Sequence, residues 1–160
     1  MSERWVVDAS PLIVLGTIGR LDLLTALAED VIVPEIVAQE VLRVEDEASR
    51  ALAQGSLRTE SVDPDDLVIR WGLGAGETAV LSFAKRHGYV ALIDDLAGRR
   101  CASVIGIPTR GTLGVVFLAK QRGIIASAAD LLAQLRDAGL YLSPHLIADA
   151  LSLVGEREED

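Results

Sequence analysis

Short aliphatic runs that end at a carboxylate or a proline, separated by longer helix-like stretches, constrain this chain more than any other feature. Trp5-Val6-Val7 runs into Asp8, Val31-Ile32-Val33 into Pro34, and Tyr89 to Ile93 into Asp94-Asp95. Apolar runs this short read as strands buried on both faces. Strands alternating with helices imply a mainly parallel sheet covered by helices on both sides. Right-handed crossovers then bring the C-terminal end of every strand to one edge, where ligands of open α/β sheets bind.

The remaining elements follow from local signals. Ser10-Pro11 offers a helix start, and Leu12 to Gly16 and Leu21 to Ala28 read as two short helices broken near Gly19. Pro34 opens a helix expected to run to about Gln54, Arg58 to Val62 reads as a short strand, and Asp63-Pro64-Asp65-Asp66 as another helix start. Gly72, Gly74 and Gly76 form an expected loop before a helix from about Glu77 to His87. A helix from Leu96 to about Ile105, a strand over Ile107 to Thr109, and helices over Leu113–Arg122, Ala128–Ala138 and Pro144–Leu153 complete the chain. The 160 residues suit one domain, residues 1–155, with 156–160 as an acidic, solvated tail.

Composition narrows the chemistry. Cys101 is the only cysteine, so neither an intramolecular disulfide nor a cysteine-based zinc site can form. No window approaches the roughly 18 apolar residues of a membrane span, and Met1 to Asp8 lacks the apolar stretch of a signal peptide. A cytoplasmic protein is expected. His87 and His145 are expected on the surface. The net charge of −9 argues against a nucleic-acid partner, but it is segregated. Residues 85–122 hold seven basic side chains against two acids, and the rest of the chain holds 8 basic against 22 acidic.

Four groups of acids stand where solvation alone does not explain them. Asp8 and the Asp94-Asp95 pair end strands and reach the same edge; helix capping could explain any one of them. Glu40 lies roughly 70° from the centre of the stripe formed by Val37, Val41, Val44, Ala48 and Leu52, at its border. An ion pair with Arg43 would also account for it. Glu77 opens a helix, where it complements the dipole. The glycines before it would let a ligand approach the backbone, but no Lys-Ser or Lys-Thr follows, which excludes a phosphate-binding Walker loop. Carboxylates converging on one edge repel unless a cation neutralises them, and all-oxygen ligation selects magnesium or manganese.

The order of these features resembles the PIN-domain nucleases, in particular a bacterial and archaeal branch related to the VapC toxins. The stretches that carry the likeness are Val6-Val7-Asp8-Ala9-Ser10-Pro11-Leu12, Val33-Pro34 to Glu40-Val41 and Gly74-Ala75-Gly76-Glu77-Thr78. Leu92-Ile93-Asp94-Asp95-Leu96-Ala97-Gly98-Arg99-Arg100 and Gly111-Thr112-Leu113-Gly114-Val115 continue it. The resemblance implies a three-layer α/β/α sandwich whose acidic pocket binds one or two Mg2+ or Mn2+ ions. Asp8 would be the first ligand, supported by Ser10, with Glu40 second, Glu77 third and Asp94 or Asp95 fourth, the balance leaning to Asp95. Thr112 would support the site. The implied activity is endoribonuclease, usually cutting single-stranded or structured RNA to leave a 5′-phosphate, with many relatives acting as toxins silenced by an antitoxin protein. Glu77 departs from the aspartate more usual at the third position.

Arg99, Arg100 and Arg110 are candidate contacts for substrate phosphate, against salt bridges to nearby acids. The alternative to an enzyme is an inactive PIN-like module that binds RNA or a protein partner. The acidic balance and the scarcity of aromatics for base stacking favour that module, while the full set of acids favours the nuclease. An aspartate-nucleophile phosphatase would want a second Asp where Ser10 stands. Aliphatic surplus in Leu12–Leu27 and Leu142–Leu153 suggests a homodimer.

Overall fold

The computed structural model describes residues 2–43 and 47–156. The chain runs β1 (Glu3–Val7), α1 (Ala9–Thr17), α2 (Asp22–Leu27), β2 (Ala28–Pro34), α3 (Glu35–Val41), α4 (Glu47–Ala53), β3 (Arg58–Glu60) and α5 (Asp66–Ile69). It continues with α6 (Ala75–His87), β4 (Val90–Leu92), α7 (Leu96–Ile105), β5 (Thr109–Arg110), α8 (Thr112–Gln121), α9 (Ala128–Asp137) and α10 (Pro144–Leu153). The five strands form one parallel sheet in the order β3-β2-β1-β4-β5. Helices cover it on both faces, giving the α/β/α sandwich expected from the alternation of elements.

The aliphatic runs form strands because both of their faces are covered. Trp5, Val6, Val7, Ile32, Val33, Ala91 and Leu92 are completely buried. Helix α6 packs across β1, β2 and β4, while α2 lies against β2 and α8. His87 and His145 are exposed, as expected of residues near helix ends.

Several element bounds differ from the sequence reading, two of them for a clear local reason. The long helix expected from Pro34 to Gln54 is two helices, α3 and α4, and Val44 lies outside the described residues. The separation lets Val37 pack at Gly76 of α6 while Ala48 meets α1 at Gly16. A Cβ on Gly16 would stand 2.9 Å from the Ala48 backbone nitrogen, so glycine is required there. The last strand starts at Thr109 rather than Ile107. Gly106 ends α7 in the left-handed region (φ 90°), and the Ile107 N–H is spent on the carbonyl of Ala102.

Glu156, the first residue of the expected tail, is bound to the fold. Its carboxylate accepts from the N–H groups of Ala128 (2.8 Å) and Ala129 (3.1 Å) and caps the start of α9. Residues 157–160 lie outside the described residues.

Candidate active site

The strand order reverses between β1 and β4, because β2 and β3 extend the sheet to one side of β1 while β4 and β5 extend it to the other. Crevices form at such reversals, just beyond the C-terminal ends of the strands. Asp8 follows β1 there, its backbone N–H still bonded to Leu92 of β4, and Asp94 and Asp95 follow β4. The cleft at this point has a volume of about 670 Å³ and is lined by Asp8, Glu40, Glu77, Asp94 and Asp95. Clefts of about 340 and 310 Å³ elsewhere hold none of these five.

Asp8 is the most constrained of them. It is 5% exposed, and its carboxylate accepts one hydrogen bond, from the N–H of Ala9 at 2.9 Å. Burial pushes its pKa up to about 7, and the neighbouring charges of Glu77, Glu40 and Asp95 push the same way, against the pull of that one hydrogen bond.

Glu40 comes from the last turn of α3 and is exposed to the cleft. Glu77 stands at the third helical position of α6, and its carboxylate folds back over Gly74, where the helix dipole favours it. Gly76, expected in a loop, lies inside the first turn of α6 at the crossing with α3. A Cβ on Gly76 would stand 3.0 Å from Glu40 Oε1, 3.5 Å from Val37 Cγ2 and 3.6 Å from Asp8 Oδ1. The missing side chain is therefore what leaves room for two of the acids.

The Asp94-Asp95 pair divides its work. Asp94 accepts from both the N–H (2.8 Å) and the hydroxyl (2.6 Å) of Thr112, so its two oxygens tie the end of β4 to the start of α8. Asp95 caps α7 through one oxygen, at 2.8 Å from the N–H of Gly98. Of the two, Asp95 is among the charges that raise the pKa of Asp8. Capping and membership of the cleft are thus compatible for Asp8 and Asp95. Thr112→Val leaves one oxygen of a half-buried carboxylate without its donor, and is expected to cost about 1–2 kcal/mol in chemical denaturation.

Ser10 lines the cleft but forms no hydrogen bond with Asp8 among the described residues; α1 begins at Ala9, which places Ser10 outward in the first turn. Most of the basic segment is engaged elsewhere. Lys85 pairs with Asp65, Arg86 donates to the carbonyl of Asp63, Arg122 to that of Leu27, and Lys120 pairs with Glu156. Arg110 is held by Glu3, at the start of β1, through two donors. Arg99 and Arg100 are exposed and make no ion pair among the described residues. The Arg99 guanidinium lies close to Gly111 on the same side as Asp94, 2.9 and 3.0 Å respectively from where a Gly111 Cβ would stand.

The cleft's remaining wall, residues 138–141, was not foreseen. No local motif marks it, because it enters the site from the far end of α9.

A five-stranded parallel sheet in the order 3-2-1-4-5, with acids following its central strand β1 and the adjacent β4, is consistent with a PIN-like α/β/α sandwich. The DUF3368 family model, a PIN domain, matches residues 4–156, and the chain belongs to that family. In fold it is similar to the crystal structure of PAE2754 from Pyrobaculum aerophilum, with a TM-score of 0.53 and 20% identity, covering 74% of this chain and 98% of that one. No curated protein matches the chain.

Proposed function

We propose that this PIN domain is a metal-dependent endoribonuclease whose site is the cleft of Asp8, Glu40, Glu77 and Asp95, with Asp94 as a further candidate ligand. The observation that carries the reading is the unmet charge of Asp8: a buried carboxylate, one hydrogen bond, three acids around it. Among the described residues no three His, Cys, Asp or Glu side chains already form a metal cage. The donor set nevertheless fits a hard divalent cation, because it offers only oxygens and carries repulsion that a cation would relieve.

Bound there, Mg2+ or Mn2+ would supply a water nucleophile near neutral pH and offset charge building on the phosphate. Asp8 would hold the ion from the sheet, and Glu40 and Glu77 from the two helices that cross at Gly76. Asp95 would offer its second oxygen, its first being fixed by Gly98. Thr112 would keep Asp94 oriented, as outer partners of ligands do. Arg99 and Arg100 are the cations free to meet the phosphate backbone; Arg110 would first have to leave Glu3.

The VapC-like resemblance extends the reading to a cytoplasmic toxin restrained by an antitoxin protein. A homodimer is supported by Leu146 and Leu153 of α10, which are 51% and 85% exposed. No helix among the described residues is long and apolar enough to cross a membrane. The rival reading, an inactive module that binds RNA or protein, draws its support from the net charge of −9. Product ends test the chemistry. Hydrolysis directed by acids and metal leaves 5′-phosphate and 3′-hydroxyl ends on RNA; 2′,3′-cyclic phosphate ends would contradict it.

A further inference from the structure

The cleft's unforeseen wall carries one side chain that the acid chemistry does not use. Tyr141 lines the cleft beside the carboxylates and is 87% exposed. The chain has six aromatic residues. Trp5, Phe83 and Tyr89 are buried, Phe117 is partly buried, and Trp71, though exposed, does not line this cleft. Tyr141 is thus the aromatic ring presented to solvent at the acids, and it makes no hydrogen bond or ring contact among the described residues.

Its exposure is imposed by its neighbours. After α9 the chain turns at Gly139 (φ 105°), where the N–H groups of Gly139 and Leu140 return to the carbonyls of Arg136 and Leu135. Leu140 and Leu142 both pack against the core, and Ser143 caps α10. In a segment pinned on either side, the residue between two inward leucines points outward. The ring is therefore held on a fixed backbone beside the cleft.

The charge balance gives that ring a use. The five carboxylates repel a polyanion, and of the basic segment only Arg99 and Arg100 have guanidinium groups with no bonded partner among the described residues. An unpaired base offers a neutral π-face, and stacking on an aromatic ring is indifferent to the sign of the cleft. We propose that Tyr141 binds substrate by stacking a base of single-stranded RNA next to the phosphate held at the acids. This rests on the nuclease reading above and narrows it, because a paired base in a duplex has no free face to offer.

The test compares wild type with Tyr141→Ala, Tyr141→Phe and Tyr141→Trp on a fluorescent single-stranded oligoribonucleotide and on its duplex. Anisotropy with calcium in place of manganese gives Kd, cleavage with manganese gives kcat and KM, and a thermal melt checks the fold. The expected result is a 5- to 150-fold rise in Kd and KM for Tyr141→Ala on the single strand, about the worth of one stack. In that result kcat and Tm are unchanged, Phe and Trp retain binding, and the duplex is indifferent to the substitution. Unchanged Kd and KM in Tyr141→Ala, with wild type cleaving, overturn the stacking role and leave the nuclease standing. The same holds if loss is equal on duplex and single strand. Tyr141-dependent binding without cleavage in any metal upholds stacking and overturns the nuclease. Failure of wild type to bind single-stranded RNA overturns the stacking proposal.

Discussion

Asp8→Asn is expected to abolish RNA cleavage while making the metal-free protein more stable, and the two effects share one cause. The amide keeps the shape of the side chain and can still accept from Ala9, but it cannot carry the charge that a divalent cation needs. Loss of an outer partner of a metal ligand costs about 10- to 100-fold, so loss of the ligand itself should cost at least about 100-fold. In the metal-free fold that same charge is a burden. The folded pKa of Asp8 is raised to about 7 from 3.8, so between those values the folded chain binds the proton more tightly than the unfolded chain does. Stability contributed by this group therefore falls as pH rises from about 4 to about 7. The full burden above pH 7 is on the order of 4 kcal/mol, and Asp8→Asn removes it. Thermal melts in EDTA should place the variant about 10 °C above wild type at pH 8. The gap should narrow with falling pH and close near pH 4. A variant less stable than wild type at pH 8 would mean that the carboxylate is compensated within the fold, and would remove the reason to expect a cation there.

Gly76→Ala should separate function from folding in a different way. Gly76 has an ordinary helical backbone inside α6, so alanine is favoured there by up to about 1 kcal/mol of helix propensity. Its methyl group would nonetheless come within 3.0 Å of Glu40 Oε1 and 3.6 Å of Asp8 Oδ1. The Glu40 carboxylate is the far end of a flexible, exposed side chain and can move aside without disturbing α3. The expected outcome is an unchanged or slightly raised Tm together with a 10- to 100-fold drop in kcat/KM, the scale of a displacement of about 1 Å at a reacting centre. Unchanged cleavage would mean that the crossing of α3 and α6 does not bound the reacting space.

How much of this was legible in the sequence differs between the framework and the cleft. β1, β2 and β4 were readable because a strand buried on both faces writes itself as an uninterrupted aliphatic run. The acids that follow two of those strands needed only the parallel topology to be brought to one place. Glu40 was harder: helical geometry put it at the edge of an apolar stripe, but the stripe was drawn along one long helix, and Ala48 belongs to a separate one. Periodicity cannot tell a continuous helix from two helices in similar phase. Gly76 reads as loop in the sequence because glycine is a poor helix former, whereas in the fold it serves the close approach of α3. Charge counting over residues 85–122 overstated the basic surface, since most of those cations are taken by partners distant in sequence, such as Glu3 for Arg110. Tyr141 was illegible for the same kind of reason: only the fold brings the end of α9 round to the acids. The scarcity of aromatics argued against base stacking in the sequence, yet a single well-placed ring is enough to offer it.

The most direct test of the central claim is cleavage of a mixed pool of end-labelled RNAs by the purified chain, in manganese, in magnesium and in EDTA, alongside Asp8→Asn. A nuclease built on the acidic cleft requires cleavage in at least one of the two metals, none in EDTA, and none from the folded variant. Cleavage that persists in EDTA or in Asp8→Asn, or its absence from folded wild-type protein in both metals, would contradict it.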